Sequence, residues 1–218
     1  YMKKIALVYT LFLALLFSFE ASAQKDPKAK VVLDAMSQKF QAMNGFTANF
    51  DFTFQDASGP GDRQSGDIAV KGEQYRLKLP DQEIYNDGKT VWTFIQSDNY
   101  KEVTINDADQ MEGELTPSNI YRLYESGYSY KLLAEKQFQG KTAQIVELLA
   151  EKNNAPFEQV KLMIDKSTSN LLGWEMFDGQ GGVFSYTFKN LKPQANLPSS
   201  YFVFDTKQFP GIEVIDLR

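Results

Sequence analysis

The sequence contains no cysteine and no histidine among its 218 residues. Without cysteine the chain has no disulfide, no thiolate nucleophile and no cysteine-ligated zinc. Without histidine it lacks Ser-His-Asp and Cys-His catalytic groups and histidine-ligated metals. Among enzyme and metal sites, these absences leave a serine–lysine pair, a carboxylate pair and an all-oxygen Ca²⁺ site. We expect no cofactor and no bound metal.

Positive charge is also scarce in this chain. Lys and Arg number 23 against 28 Asp and Glu, which gives a net charge of −5. An acidic chain without a basic block is a poor nucleic-acid binder, so we expect no nucleic-acid partner. For the same reason we do not expect the chain to adhere to anionic lipid by charge alone. Any contact with membranes would have to be apolar.

A long apolar run occurs once, at residues 5–19, directly after Lys3 and Lys4. It is followed by Ala21-Ser22-Ala23, the small-x-small pattern of a cleavage site. Fifteen helical residues span roughly 22 Å, less than the ~30 Å hydrocarbon core of a bilayer. The pattern therefore predicts a secretory signal peptide over residues 1–23, cleaved after Ala23, rather than a membrane anchor. Residues 24–218 then form one exported domain, which we place in the periplasm.

Helical periodicity is found in two places. Residues 26–45 begin with an Asp-Pro cap, repeat apolar residues at steps of four, four and three, and end at Gly45. A second helix is predicted to start at Thr116-Pro117. Its apolar face is formed by Ile120, Leu123 and Tyr124. Each helix has one apolar face and is therefore suited to cover an apolar surface.

Most of the remaining sequence indicates β-strands. The apolar residues of 46–54 alternate with polar ones, which predicts a strand with one apolar and one wet face. Asn86-Asp87-Gly88-Lys89 predicts a hairpin between residues 83–85 and 91–95, and residues 58–62 predict a turn. Further strands are predicted at residues 68–70, 75–79, 103–105, 128–135, 143–150, 160–165, 171–177, 183–191 and 201–204.

The predicted elements define a mainly β protein of eleven or twelve strands and two helices. Strands joined by short turns are mainly antiparallel. A sheet of that size curls strongly or closes, so a barrel, a half-barrel and a sandwich are the natural outcomes. The helices would plug or cap the concave side.

Three motifs, in this order and spacing, resemble the LolA family of periplasmic carriers of outer-membrane lipoproteins. They are Gly-Phe-Thr-Ala-Asn-Phe at 45–50, Ser-Gly-Asp-Ile-Ala-Val-Lys at 65–71 and Asn-Asp-Gly-Lys-Thr-Val-Trp at 86–92. The tail 202–218, with Gly-Ile-Glu-Val at 211–214, is similar to the family's end. The resemblance covers most of residues 30–218.

The resemblance implies a fold, a function and partners. The fold is a single curved antiparallel sheet, an incomplete (half) β-barrel of about eleven strands with helices capping its concave face. The function is that of a non-enzymatic monomeric carrier, which shields lipoprotein acyl chains between the inner and outer membranes. The implied partners are acylated lipoproteins, an inner-membrane lipoprotein-releasing ABC transporter and, in some bacteria, an outer-membrane acceptor lipoprotein.

Alternating apolar residues supply the candidates for an acyl-chain cavity. The lining candidates are Phe50, Phe52, Phe54, Ile68, Val70, Tyr75, Leu77, Trp92 and Phe94, and the lid candidates are Ile120, Leu123 and Tyr124. The competing interpretation is that all of them are ordinary core, because burial is what such alternation usually means. The sequence does not decide whether Trp92 and Phe94 point to the apolar face of their strand, because Val91, Thr93 and Ile95 could occupy that face instead.

One departure from the family concerns the lid. Where the family often has Lys-Arg-Pro after its second strand, this sequence has Lys71-Gly72-Glu73. The arginine that bonds to the lid helices in the family is thus missing, and the family's lid closure cannot be transferred to this chain. The aromatic-x-Trp that follows in the family reads Tyr75-Arg76-Leu77.

Two other functions remain open on the sequence. The same sheet could sense envelope stress or bind another protein, because fold does not fix function. A carboxylate-based envelope hydrolase would need two facing acids, for which Glu147 and Glu151 are candidates. An acidic stretch with Asp107, Asp109, Glu112 and Glu114 lacks the EF-hand spacing and indicates a solvated loop rather than a Ca²⁺ site.

Overall fold

The computed structural model describes residues 25–111, 116–152, 155, 157–194 and 196–218. The predicted signal peptide, residues 1–23, lies outside the described residues, as do Glu112 and Glu114. Within the described ranges, no helix has the length and apolar character needed to cross a membrane.

The described chain contains one α-helix, four short 3-10 helices and thirteen strands. The α-helix is α1 (Pro27–Ala42), and the 3-10 helices are Ala108–Met111, Ile120–Glu125, Ser199–Phe202 and Thr206–Gln208. The strands are β1 (Phe46–Asp56), β2 (Gly59–Lys71), β3 (Gln74–Lys78), β4 (Gln82–Asn86), β5 (Thr90–Ser97), β6 (Tyr100–Asp107), β7 (Tyr128–Leu132), β8 (Lys136–Phe138), β9 (Lys141–Ala150), β10 (Gln159–Asp165), β11 (Leu171–Phe177), β12 (Val183–Pro193) and β13 (Glu213–Asp216).

These strands form a single open sheet in the order β13-β6-β5-β4-β3-β2-β1-β12-β11-β10-β9-β7, with β8 attached to β9. Apart from the parallel pair β13–β6, every pair is antiparallel. The first strand thus lies near the middle, where it joins two halves built from consecutive hairpins. The predicted mainly β, open curved sheet is confirmed, with thirteen strands in the described ranges where eleven or twelve were expected.

Helix α1 is fixed to the sheet through its N-cap. The Asp26 carboxylate accepts hydrogen bonds from the backbone N–H of Lys28 at 2.8 Å and of Leu132 at 3.1 Å. The N–H of Asp26 donates to the Tyr130 carbonyl at 2.9 Å. These hydrogen bonds hold the pKa of the Asp26 carboxyl below its ordinary value, and the bond from the Leu132 N–H has a larger effect than the bond from the Lys28 N–H. One aspartate therefore begins the helix and also occupies the edge of β7.

The main core lies between α1 and the concave face of the sheet. Ala29, Leu33, Met36 and Phe40 of α1 are all buried and belong to one cluster with side chains from both halves of the sheet. A smaller cluster lies on the convex face, where the chain after β12 crosses back and places Phe204 against β4–β6. That long return explains the parallel β13, since a parallel strand requires a crossover rather than a tight turn.

Three local predictions differ from the structure. Residues 201–204, predicted as a strand, lie in and just after the 3-10 helix Ser199–Phe202, because Phe202 is completely buried by a turn rather than by strand pairing. The predicted second helix is the 3-10 helix Ile120–Glu125 rather than an α-helix. The turn predicted at 58–62 lies at residues 57 and 58, and Gly59 already begins β2.

Gly66 in β2 leaves room for a core aromatic ring. It pairs with Phe50, and a Cβ at this position would lie 2.8 Å from the Phe50 ring and closer still to the Lys78 carbonyl. We expect Gly66→Ala to lower the free energy of unfolding by about 1–3 kcal/mol through overpacking. Gln64→Ala, an exposed position two residues away, should change it by less than about 0.5 kcal/mol. Urea denaturation measures both, and equal effects would contradict this account of Gly66.

Candidate ligand-binding face

Strand register places seven of the nine predicted lining residues on one face. Side chains of directly paired residues point to the same face of a sheet. The pairs Phe50–Gly66, Ile68–Leu77 and Val70–Tyr75 therefore connect β1, β2 and β3 on the concave side. The shared residues are Phe50, Phe52, Phe54, Ile68, Val70, Tyr75 and Leu77.

Trp92 and Phe94 lie on the opposite, convex face, so their placement in the predicted lining is wrong. Their partners are Tyr85 and Val103, and Phe94 also contacts Phe204 with ring centroids 5.1 Å apart. The reason is register: Ile84 continues the concave row from Leu77 and pairs with Thr93, not with an aromatic residue.

Helix α1 and the 3-10 helix Ile120–Glu125 cover one part of the concave face. Phe40 contacts Phe46 edge-on at 5.3 Å and stacks on Tyr121 at 5.4 Å. Two of the predicted lid residues are buried here, Ile120 and Tyr124, and Leu123 is half-buried. Beneath this cover, the predicted lining residues Phe50, Ile68, Val70 and Tyr75 are all buried. The burial of these four residues favours the ordinary-core interpretation for them.

The other part of the concave face stays partly open and forms what we call the apolar cleft. It consists of the half-buried residues Phe52, Phe54, Leu77, Leu79, Ile84, Phe157, Phe184 and Tyr186. Its aromatic wall is continuous, because Phe52 contacts Tyr186 at 4.8 Å and Phe54 contacts Phe184 at 4.7 Å. The cleft thus offers apolar, non-directional contact beside a closed core.

Sequence reasoning missed the half of this wall that comes from β12 and the loop before β10. Phe184 and Tyr186 pair directly with Phe54 and Phe52, and Phe157 contacts Phe184 edge-on at 5.7 Å. The alternation within residues 183–191 could have identified the first two. Phe157 carries no periodic signal, because it lies between strands.

One polar atom lies behind this aromatic wall without a partner. The Trp174 indole stacks on Tyr186 at 4.9 Å and 12°, and only 5% of the residue is exposed. Its Nε1–H is buried and has no hydrogen-bond acceptor among the residues that the structure describes. Burial also raises the pKa of Tyr186. The surface of the cleft is therefore apolar, and the Trp174 Nε1–H is an unused donor that lies behind the ring of Tyr186.

The 3-10 helix Ile120–Glu125, which contains the predicted lid residues and is called the lid below, is joined to the rest of the molecule by polar contacts. The Tyr124 hydroxyl donates to Asp34 Oδ1 of α1 at 2.9 Å. Arg122 Nη2 donates to Glu73 Oε1 at 3.1 Å, across the gap to the turn between β2 and β3. The turn carries the acidic partner of this ion pair and the 3-10 helix carries the basic one. Both side chains are exposed, and such a pair contributes little stability.

The carboxylates proposed for a hydrolase do not face each other in a cleft. Glu147 points to the convex face, where it accepts from Gln159 Nε2 at 2.6 Å and pairs with Lys131 at 2.7 Å. Glu151 pairs with Lys25 at 3.8 Å. In the described part of the chain, no group of three or more acidic side chains is placed to hold a metal ion.

The chain is similar in sequence to known lipoprotein carriers. A family model described as outer membrane lipoprotein carrier protein LolA matches residues 19–180. The outer-membrane lipoprotein carrier protein of Legionella pneumophila (strain Lens) is 26% identical over 214 residues, which cover 94% of this chain and 96% of that protein.

Solved structures share the fold at much lower identity. An uncharacterized conserved protein from Thermus thermophilus superposes with a TM-score of 0.57 at 12% identity, covering 87% of this chain and 99% of that one. LprF from Mycobacterium bovis gives a TM-score of 0.51 at 12% identity, covering 80% and 98%. Likeness at this level concerns the fold alone.

The bond between Tyr124 and Asp34 should make the stability of the lid pH-dependent. Burial, followed by the hydrogen bond to Asp34, raises the pKa of Tyr124 from 10.0 to about 12. Because the folded pKa is the higher one, this contribution is complete below pH 10 and is lost as the pH rises through 12. We expect Tyr124→Phe to lower the free energy of unfolding by about 1 kcal/mol at pH 8. Above pH 10 the difference between variant and wild type should shrink.

Urea midpoints measured between pH 8 and pH 11 test this expectation, with Tyr201→Phe at an exposed tyrosine as the control. A constant difference between Tyr124→Phe and wild type across that range would show that ionisation of Tyr124 does not affect the lid.

Proposed function

Because the chain belongs to the LolA family of outer membrane lipoprotein carrier proteins, we propose that it shields lipoprotein acyl chains in the apolar cleft. The observation that carries this proposal is the partly open aromatic wall of Phe52, Phe54, Phe184 and Tyr186 beside a fully closed core. The four rings contact one another along one face and are only partly buried, which favours a binding surface at the margin of the core.

The energetics of an acyl chain fit such a site. Each buried methylene is worth about 0.8 kcal/mol, so a 15-methylene chain gains roughly 12 kcal/mol on leaving water. A carrier must recover most of this free energy and must also release the chain. Non-directional contact with aromatic rings recovers the free energy. Because the wall is open on one side, the barrier to release of the chain stays low. We expect the chain to enter beside α1 and to run along Phe52 and Tyr186.

The route of cargo is part of the same proposal. Cargo would come from an inner-membrane lipoprotein-releasing ABC transporter and pass to the outer membrane, in some bacteria through an acceptor lipoprotein. The carrier would act in the periplasm, after removal of residues 1–23, as a monomer without catalytic activity. Support for this route comes from the family membership and from the carrier relatives that match along nearly their whole length.

The first test is native mass spectrometry of residues 24–218 co-expressed with a triacylated lipoprotein. The control is the same lipoprotein with its lipidated cysteine replaced by serine. A complex that forms only with the acylated form is expected. Binding to both forms would instead support a protein-interaction role on the same fold, and binding to neither would exclude the carrier function.

A charge in the aromatic wall should separate cargo binding from folding. Phe52→Asp places a carboxylate where methylenes would lie, and we expect at least about tenfold weaker binding of acylated cargo. Because Phe52 is half-buried, the carboxylate keeps some solvent, and the loss of stability should be smaller than for a closed core position. Thr53→Asp, one residue along on the convex face beside Arg63, is the matched control and should leave binding unchanged.

Trp92→Leu provides a second control, because Trp92 lies on the convex face. Binding of acylated cargo should be unaffected by it, whereas urea denaturation should show a loss of stability. If Phe52→Asp unfolds the protein instead, Phe52 is core and the cleft is assigned to the wrong part of the face. If Trp92→Leu weakens cargo binding as strongly as Phe52→Asp, the assignment of faces is wrong.

A further inference from the structure

The convex face over the middle of the sheet has a charge opposite to that of the whole chain. Register places on it the basic residues Arg63, Lys71, Arg76, Lys78, Lys189 and Lys192, and the acidic residues Asp51, Asp67 and Glu83. Six basic against three acidic side chains give this face a net charge of +3, although the chain carries −5. The concentration of positive charge arises because β3, β2, β1 and β12, distant in sequence, are neighbours in the sheet.

Part of this face is a groove rather than a flat surface. A cavity of about 450 Å³ lies over β1–β3 and β12, bounded on one side by Tyr201 from the returning C-terminal segment. We call it the convex groove. Its polar lining includes the basic residues Arg76, Lys78 and Lys192, the amides Asn49 and Asn190, and one acid, Asp67. It lies on the other side of the sheet from the apolar cleft, so its ligand would be independent of acyl cargo.

The positive charges of the groove are only partly neutralised. Arg76 Nη2 and Lys78 Nζ share one carboxylate, that of Glu83, at 2.7 and 3.6 Å. Lys192 is exposed and makes no ion pair with the residues that the structure describes. Lys192 is therefore available to an anionic ligand, and Lys78, at the other end of the groove, is only partly neutralised by a carboxylate that it shares with Arg76.

Arg76 also fixes the wall of the groove. Its guanidinium lies between the rings of Tyr85 and Tyr201, at 4.5 and 4.8 Å from their centroids. This arrangement holds Tyr201 over one side of the groove, while Lys78 and Lys192 are exposed at its margins. An extended chain can lie along a groove with one raised wall, whereas Tyr201 would keep a flat bilayer surface away from the groove floor.

The floor of the groove offers amide groups between the two lysines. Asn190 Nδ2 donates to Asn49 Oδ1 at 2.9 Å, and Asn49 Nδ2 donates to the Asp67 carboxylate. Each amide group has a second N–H that these two bonds do not use and that can donate to a peptide backbone. Lys78 and Lys192 lie on strands three steps apart, which corresponds to roughly 15 Å at about 4.8 Å per strand. An extended peptide rises about 3.4 Å per residue, so acids about four residues apart would match both lysines.

We propose that the convex groove binds an extended peptide segment of a partner protein that carries acidic side chains about four residues apart. The two lysines pair with the carboxylates, and the asparagines hydrogen-bond to the backbone between them. Such a partner would be held on the convex face while the apolar cleft on the other face stays accessible.

The test is a ¹H–¹⁵N NMR titration of residues 24–218 with nine-residue peptides in a Ser/Thr background. The probe has Glu at positions 3 and 7, and the comparison peptides have Glu at 3 and 4 or Lys at 3 and 7. We expect the probe to shift amides of β1, β3 and β12, the adjacent-Glu peptide to bind severalfold more weakly, and the Lys peptide not to bind. Binding should weaken when salt is raised from about 50 to 300 mM.

Matched variants test whether the probe peptide binds at the convex groove. Lys78→Gln with Lys192→Gln should weaken probe binding about tenfold, and Tyr201→Ala should weaken it by removing the raised wall of the groove. Lys28→Gln with Lys39→Gln makes the same charge change on exposed positions of α1 and should alter binding less than twofold.

Three results would overturn the proposal: equal losses in both double variants, equal binding of both Glu peptides, or no binding of the probe by wild type. Sedimentation with anionic phosphatidylglycerol vesicles that depends on Lys78 and Lys192, without peptide binding, would assign the face to membranes instead. None of these results bears on acyl cargo, which the native mass spectrometry tests separately.

Discussion

An open sheet with one apolar face must have that face covered, and this constraint organises the whole molecule. The cover here is α1 with the 3-10 helix Ile120–Glu125, and it is held by few polar anchors. Asp26 begins the helix and bonds to the edge strand β7, while Tyr124 bonds the two covering elements together. Because one helix is too short to cover a sheet of this width, the rest of the face stays half-buried. The apolar cleft is thus what the cover leaves open.

The alternation of side chains along strands gives the two faces different chemistry. The concave face carries aromatic and aliphatic side chains, while the convex face carries amides and charges around Asn49 and Arg76. In a closed barrel one of these surfaces would be internal and filled. In an open sheet both remain accessible, so one domain has an apolar surface, to which we assign acyl chains, and a charged groove, to which we assign a protein segment.

Some of this organisation could be predicted from the sequence, because it depends on local pattern. The alternation at 46–54, the hairpin at 86–89 and the Asp-Pro helix start are short-range features, and the structure has all three. Faces were harder to assign, since a hairpin fixes which residues pair with each other but not which side of the whole sheet they join. Trp92 was therefore misplaced, while Leu77, connected through adjacent hairpins to Phe50, was not.

The sequence by itself determined the class of the protein: a mainly β, acidic chain without cysteine or histidine, with an apolar helix and alternating strands. Only the tertiary structure decided which apolar residues are core and which line the cleft, because that depends on where α1 ends over the sheet. It also decided that an acidic chain has a basic face. Net charge sums over residues, whereas an electrostatic surface depends on which strands are neighbours, and the pairing of β1 with β12 joins segments about 140 residues apart.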